Sequence, residues 1–76
     1  MNFHERLRQL RLESPSMQKE LAEYLNITVR TLQRYETGET EPNIEALIKI
    51  ADYYNVTVDY LIARSDNPNA TPSGEQ

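Results

Sequence analysis

The sequence predicts an all-α domain of five short helices, and three observations carry that expectation. Apolar residues recur at three- and four-residue spacing in five stretches. Residues with capping or helix-ending chemistry stand between those stretches, and neither an alternating strand pattern nor a hairpin signal appears. At 76 residues the chain has room for one core, and stacking helices is the economical way for so short a chain to bury it.

The first helix carries Phe3, Leu7 and Leu10 on one face and ends before Ser14-Pro15-Ser16. Proline suits the first helical position behind a serine cap, so the second helix starts between Pro15 and Met17, carries Met17, Leu21 and Leu25, and stops at Asn26. Thr28 is a good cap for a third helix that runs to about Thr37. Gly38 closes it, being the residue best suited to the left-handed C-terminal position. After the loop Glu39-Thr40-Glu41-Pro42, Asn43 caps a fourth helix expected to turn Ile44, Leu47, Ile48, Ala51 and Tyr54 inward, with Glu45 complementing its dipole. Asn55 and Val56 form the next turn, and Thr57 caps a short fifth helix with Val58, Leu61 and Ile62. The domain is therefore placed at 1–64. Residues 65–76, rich in Ser, Asn, Pro, Thr and Gly, are expected to be a disordered polar tail.

Composition excludes several chemistries. There is no cysteine, hence no disulfide framework or thiolate metal site, and the single histidine, His4, is expected to face solvent on the first helix. With two glycines, no phosphate-cradling loop and no Ser-His-Asp order, the chain offers no catalytic constellation; no enzyme activity, metal or cofactor is expected. No apolar run approaches the roughly 18 residues of a membrane span and the first residues are not a signal peptide, so a soluble, cytoplasmic protein is expected.

The formal net charge of −4 argues against a nucleic-acid partner until it is divided along the chain. Residues 1–37 carry six Lys/Arg against five Glu, a balance of +1, whereas residues 38–76 carry two basic against seven acidic residues, −5. An anion-binding surface is thus confined to the first half. There, helices two and three are separated by only Asn26, Ile27 and the cap Thr28, and so cross steeply. That is the helix-turn-helix geometry, whose second member enters the DNA major groove. At ~100° per residue, Val29, Arg30, Gln33, Arg34 and Thr37 fall in one sector of roughly 140°, with Thr31, Leu32 and Tyr35 on the other side. Arg pairs bidentately with guanine, Gln with adenine, and a Val or Thr methyl meets the thymine methyl, so Val29, Arg30, Gln33 and Arg34 form a candidate base-reading set. Any surface helix carries Arg and Gln for solubility. What separates this one is a face without Asp or Glu in an acidic protein.

From Arg6 to about Asp66 the chain resembles the phage repressor and Cro type of helix-turn-helix domain, the XRE or lambda-repressor-like family. The resemblance rests on Arg6-Leu7-Arg8-Gln9-Leu10-Arg11, Gln18-Lys19-Glu20-Leu21-Ala22, the run Thr31 to Gly38, Glu41-Pro42-Asn43, Ala51 to Val56 and Val58-Asp59-Tyr60-Leu61. It implies that Gln18 holds a DNA phosphate and orients the reading helix, that Val29, Arg30 and Arg34 contact bases, and that Thr37 makes a backbone contact. It also implies that Arg11 and Glu36 form an ion pair between the first and third helices. Arg6, Arg8, Lys19 and the cap Thr28 join the candidate backbone contacts, although a solvated helix face explains the charged ones almost as well. Three positions depart from the family pattern. Glu39 and Glu41 stand in a loop that is often basic, Met17 stands where a Ser or Thr cap is usual, leaving that role to Ser14 or Ser16, and Pro15 replaces a glycine.

A second apolar set, Ile50, Tyr53, Tyr60 and Ile62, lies on the expected outer side of helices four and five and is the candidate dimer contact. A two-fold dimer presents two reading helices about one DNA turn apart and so predicts a palindromic operator. The expectation is a homodimeric, sequence-specific transcriptional regulator, acting as a repressor on double-stranded DNA, bacterial or phage-encoded and nucleoid-associated when bound. The alternative is a protein-interaction module or antitoxin on the same fold, with weak DNA binding, which the overall acidity and Glu39 and Glu41 favour.

Overall fold

A computed structural model describes residues 1–15, 17–64, 67 and 68, and every element among them is helical: α1 Phe3–Glu13, α2 Gln18–Leu25, α3 Val29–Thr37, α4 Ile44–Tyr54 and α5 Val58–Leu61. Local chemistry sets the boundaries. The Asn2 side chain accepts from the Glu5 N–H and the Glu5 carboxylate from the Asn2 N–H, each at 3.1 Å, so two orphan donors at the start of α1 are satisfied reciprocally. Thr28, Asn43 and Thr57 likewise accept from the N–H three residues on, at 3.1, 2.8 and 3.0 Å. Asn26, Gly38 and Asn55 end α2, α3 and α4 with positive φ of 60°, 84° and 57°.

The start of α2 differs from expectation. Met17, not a serine, occupies the cap position without a side-chain cap: the Glu20 N–H donates to the Met17 backbone carbonyl at 3.0 Å, and the Glu20 carboxylate accepts from the Met17 N–H at 2.8 Å. Ser14 instead terminates α1, its N–H donating to the Arg11 carbonyl at 3.2 Å, while Ser16 lies outside the described residues. Met17 itself is exposed rather than part of the α2 core face.

Each helix delivers at least one apolar side chain to a single core of Leu7, Leu21, Ala22, Leu25, Leu32, Ile50, Ala51 and Leu61. Burying each Leu or Ile is worth about 1.5–3 kcal/mol. Phe3, Leu10 and Leu47 pack against this core from its rim. The inward face of α4 is rotated from the expected one. Ile50 is fully buried, and Ile44 and Ile48 are 75% and 47% exposed. Leu47, Ile50, Ala51 and Tyr54 share one sector of α4, and Ile44 and Ile48 lie off its edge. Ile50 is therefore a core residue and is withdrawn from the dimer set. Of the others, Tyr53 is half-buried with its ring 5.0 Å from those of Tyr24 and Tyr54, Tyr60 lies under a guanidinium, and Ile62 is half-buried at the end of α5.

Arg6 also departs from expectation. It is 4% exposed, its guanidinium sits 3.8 Å from the centre of the Tyr60 ring and it donates to the Tyr60 carbonyl at 2.9 Å. It ties α1 to α5 and cannot reach a phosphate. Most of the expected tail lies outside the described residues, but Asn67 and Pro68 are described, and the Pro68 carbonyl accepts from the Thr57 N–H at 3.0 Å, so the chain returns to the start of α5. Among the described residues no helix is long and apolar enough to cross a membrane.

Candidate nucleic-acid interface

α2 and α3 are joined by Asn26, Ile27 and Thr28 alone. The left-handed Asn26 turns the chain, its N–H donating to the Glu23 carbonyl at 3.1 Å and that of Ile27 to the Ala22 carbonyl at 3.0 Å, while the Ile27 side chain packs on the core. With Leu21, Leu25 and Leu32 fully or nearly buried, α3 is fastened through one edge and its opposite face stands outward. Arg30, Gln33 and Thr37 are exposed on that face and Arg34 is half-exposed beside them; together with Glu39 they line one shallow groove. Val29 is half-buried and belongs to a neighbouring depression with Gln18 and Lys19, so the starts of α2 and α3 present one continuous surface.

That surface is braced from within by a chain of side-chain bonds. The Arg11 Nε donates to a Glu36 carboxylate oxygen at 2.5 Å, and the Gln18 amide donates to the other oxygen at 3.4 Å. A carboxylate only accepts, so Gln18 must turn its NH₂ toward Glu36 and its carbonyl outward. There the carbonyl accepts from the Gln33 amide at 3.4 Å. One hydrogen of Gln33 is thus anchored, leaving its second hydrogen and its carbonyl oxygen, the pair that adenine requires. The Glu36 side chain is only 5% exposed; its bond to Arg11 holds the guanidinium above its usual pKa against the opposing effect of burial. Behind the pair stands Tyr54, whose hydroxyl is buried without a hydrogen-bond partner among the described residues. Burial foremost, with the charges of Tyr53 and Glu36 adding, pushes its pKa up to about 12.

The remaining candidates divide. Lys19 is exposed beside Gln18, and among the described residues no hydrogen bond or ion pair engages it or Arg30. The Thr28 hydroxyl is occupied as a cap and donates to the Thr31 hydroxyl at 3.0 Å; that of Thr37 donates to the Arg34 carbonyl at 3.2 Å. Arg8 lines a separate depression with His4, Glu5 and Gln9, away from the α3 groove. Sequence reasoning placed Glu39 in the loop without seeing its partner: its carboxylate lies 3.6 Å from the Arg34 Nε. Among the described residues no group of three His, Cys, Asp or Glu could hold a metal.

A helix-turn-helix family model matches residues 7–61. The chain belongs to the helix-turn-helix family, of the phage-repressor or XRE type. Among its relatives, the transcriptional regulator ImmR of Bacillus subtilis (strain 168) is 36% identical over 66 residues, 87% of this chain and 52% of the relative. The cryptic phage CTXphi transcriptional repressor RstR of Vibrio cholerae serotype O1 is 34% identical over 64 residues, 84% and 57% of the two chains. The chain spans about half the length of the curated relatives it matches. In three dimensions the family fold superposes on the P22 c2 repressor in complex with a synthetic operator, with a TM-score of 0.78 at 26% identity over 86% of this chain and 98% of that one. A transcriptional regulator from Listeria innocua gives the same TM-score at 35% identity, covering 97% and 69%. This helix-turn-helix domain, with α3 as its second member, is what those proteins share with it.

Proposed function

We propose that the chain is a sequence-specific DNA-binding transcriptional regulator, a repressor in its simplest mode, with α3 entering the major groove. The observation that carries this is the outward face of α3: two arginines and an amide-anchored glutamine at base-reading spacing, with no carboxylate on the helix face itself. Its fold-mate at a TM-score of 0.78 is a repressor bound to operator DNA, which supports the same placement here. In this reading Arg30 and Arg34 pair with guanines, Gln33 with adenine and Val29 with a thymine methyl. Lys19 binds a phosphate at the start of α2, where Gln18 has only its second amide hydrogen to offer one, and Thr28 and Thr37 lie along the backbone path with Arg8 further out.

A homodimer on a palindromic operator belongs to the same proposal. With Ile50 in the core, its contact set is Tyr53, Tyr60 and Ile62, to which the exposed Ile44 and Ile48 add apolar surface on α4. Selection of bound sequences from a randomised duplex pool, with sedimentation of the free and bound chain, tests the whole reading. A palindromic consensus bound by two chains is expected; absence of any enriched sequence overturns it.

The second reading, a protein-interaction module or antitoxin with weak DNA binding, draws on the acidic Glu39 and Glu41 of the α3–α4 loop. Pairing of Glu39 with Arg34 gives that acidity a role inside the DNA-binding reading and so weakens the alternative.

A further inference from the structure

We propose that Glu39 is a specificity-determining residue, one that lowers affinity for DNA at large while keeping Arg34 set for a base. The inference rests on the reading of α3 as the base-reading helix and adds to it a residue outside that helix.

The placement of Glu39 follows from the end of α3. Gly38 in the left-handed conformation folds the chain back, and the Glu39 N–H donates to the Arg34 carbonyl at 2.9 Å, the long-range bond of a Schellman cap. The cap thereby fixes the backbone of residue 39 against residue 34, and the two side chains meet as a consequence: the Glu39 carboxylate lies 3.6 Å from the Arg34 Nε. Both flank the groove that holds Arg30, Gln33 and Thr37.

Two effects follow from this contact. A guanidinium has a fork at Nη1/Nη2 and another at Nε/Nη2. With the carboxylate at Nε, the Nη1/Nη2 fork points away from Glu39 and stays open for guanine O6 and N7. The carboxylate also cancels much of the arginine's charge toward phosphate, which carries no sequence information, and repels a phosphate that approaches the rim of the groove. Arg34 is 40% and Glu39 64% exposed, so the pair contributes little to folding, and a correctly placed guanine takes the open fork without displacing the carboxylate. Non-operator DNA is held almost entirely through its phosphates and meets the penalty in full.

The test uses the full chain and Glu39→Gln, which keeps size and polarity but removes the charge. Glu41→Gln removes a charge from the same loop, where no ion pair with Glu41 is present among the described residues. Affinities for the duplex selected by the wild-type chain and for a scrambled duplex are measured across a salt series. Glu39→Gln is expected to bind the scrambled duplex about two- to five-fold more tightly, with a salt dependence steeper by about one ion. It should gain less on the selected duplex, so that the ratio between the two falls, and the same substitution made with Arg34→Ala should leave that ratio unchanged. An unchanged ratio in Glu39→Gln, or an equal drop in Glu41→Gln, overturns the role of Glu39 while leaving α3 as the reader. If the wild-type chain selects no sequence at all, the base-reading proposal falls and this one with it.

Discussion

The Nε of Arg11 and the carboxylate of Glu36, 25 residues apart, meet at 2.5 Å and lock α1 to α3 directly behind the groove-facing side chains. The same carboxylate holds Gln18, and through it Gln33, so one buried acid sets both a core contact and the posture of two surface amides.

Removing that acid leaves the half-buried Arg11 without its partner. Glu36→Leu should lower stability by about 1–3 kcal/mol in urea unfolding, the upper end being limited by the partial access of Arg11 to water. Arg11→Met combined with Glu36→Leu should cost less than the sum of the single changes, because no stranded charge remains. Equal and additive losses would show that the pair is not coupled.

Gly38 carries two constraints at once. A methyl group built there lies 2.8 Å from the Nδ1 of His4, and the φ of 84° is unfavourable for any side chain. Gly38→Ala should therefore cost about 1–2 kcal/mol or more in thermal or chemical unfolding. With His4→Ala present the cost should shrink to the conformational part alone; a cost independent of His4 would refute the steric half.

Tyr54 makes a pH prediction. Its phenol in the unfolded chain ionises near its ordinary value of 10.0, whereas in the folded chain it stays neutral up to about 12. The folded-state value is the raised one, so the stabilising contribution is complete below pH 10 and is lost as pH climbs from 10 to about 12. Tyr54→Phe should remove that component of the alkaline loss. Because the hydroxyl is buried without a hydrogen-bond partner among the described residues, the substitution should also be neutral or stabilising by up to about 1 kcal/mol at pH 7. Marked destabilisation at neutral pH would mean that the hydroxyl has a partner after all.

Much of this architecture was legible in the sequence because it is written in single residues with strong local preferences. Thr28 and Asn43 start helices, Gly38 and Asn55 end them, and the three-residue gap at Asn26 to Thr28 defines the helix-turn-helix. Helix α4 was not legible in the same way. Ile44, Ala46, Leu47, Ile48, Ile50, Ala51, Tyr53 and Tyr54 leave only three of its 11 positions polar, so periodicity cannot single out the buried side, and packing against α2 and α5 decides for Ile50 over Ile44 and Ile48. Arg6 escaped for a different reason: its ring partner Tyr60 is 54 residues away, and no local pattern announces a cation laid over an aromatic face. Gln18 and Arg34 were placed by resemblance and by helical spacing; their bonds to Gln33 and Glu39 depend on how α2 and the end of α3 sit in three dimensions.

Phosphate and base contacts separate by their sequence dependence. Lys19→Ala should weaken binding to all duplexes alike and reduce the salt slope by about one, since its ammonium stands beside Gln18 rather than in the α3 groove. A change in sequence preference in this variant would move Lys19 into the reading set.

The most direct measurement is the affinity of wild-type and Arg30→Ala chains for the selected duplex and for each of its single-base-pair variants. Wild type should lose about 1–3 kcal/mol on replacement of one particular guanine pair, whereas Arg30→Ala should be indifferent at that pair and discriminate normally at the others. If Arg30→Ala, and Arg34→Ala beside it, keep the wild-type preference at every position and lose affinity only uniformly, α3 does not read bases and the central claim is wrong.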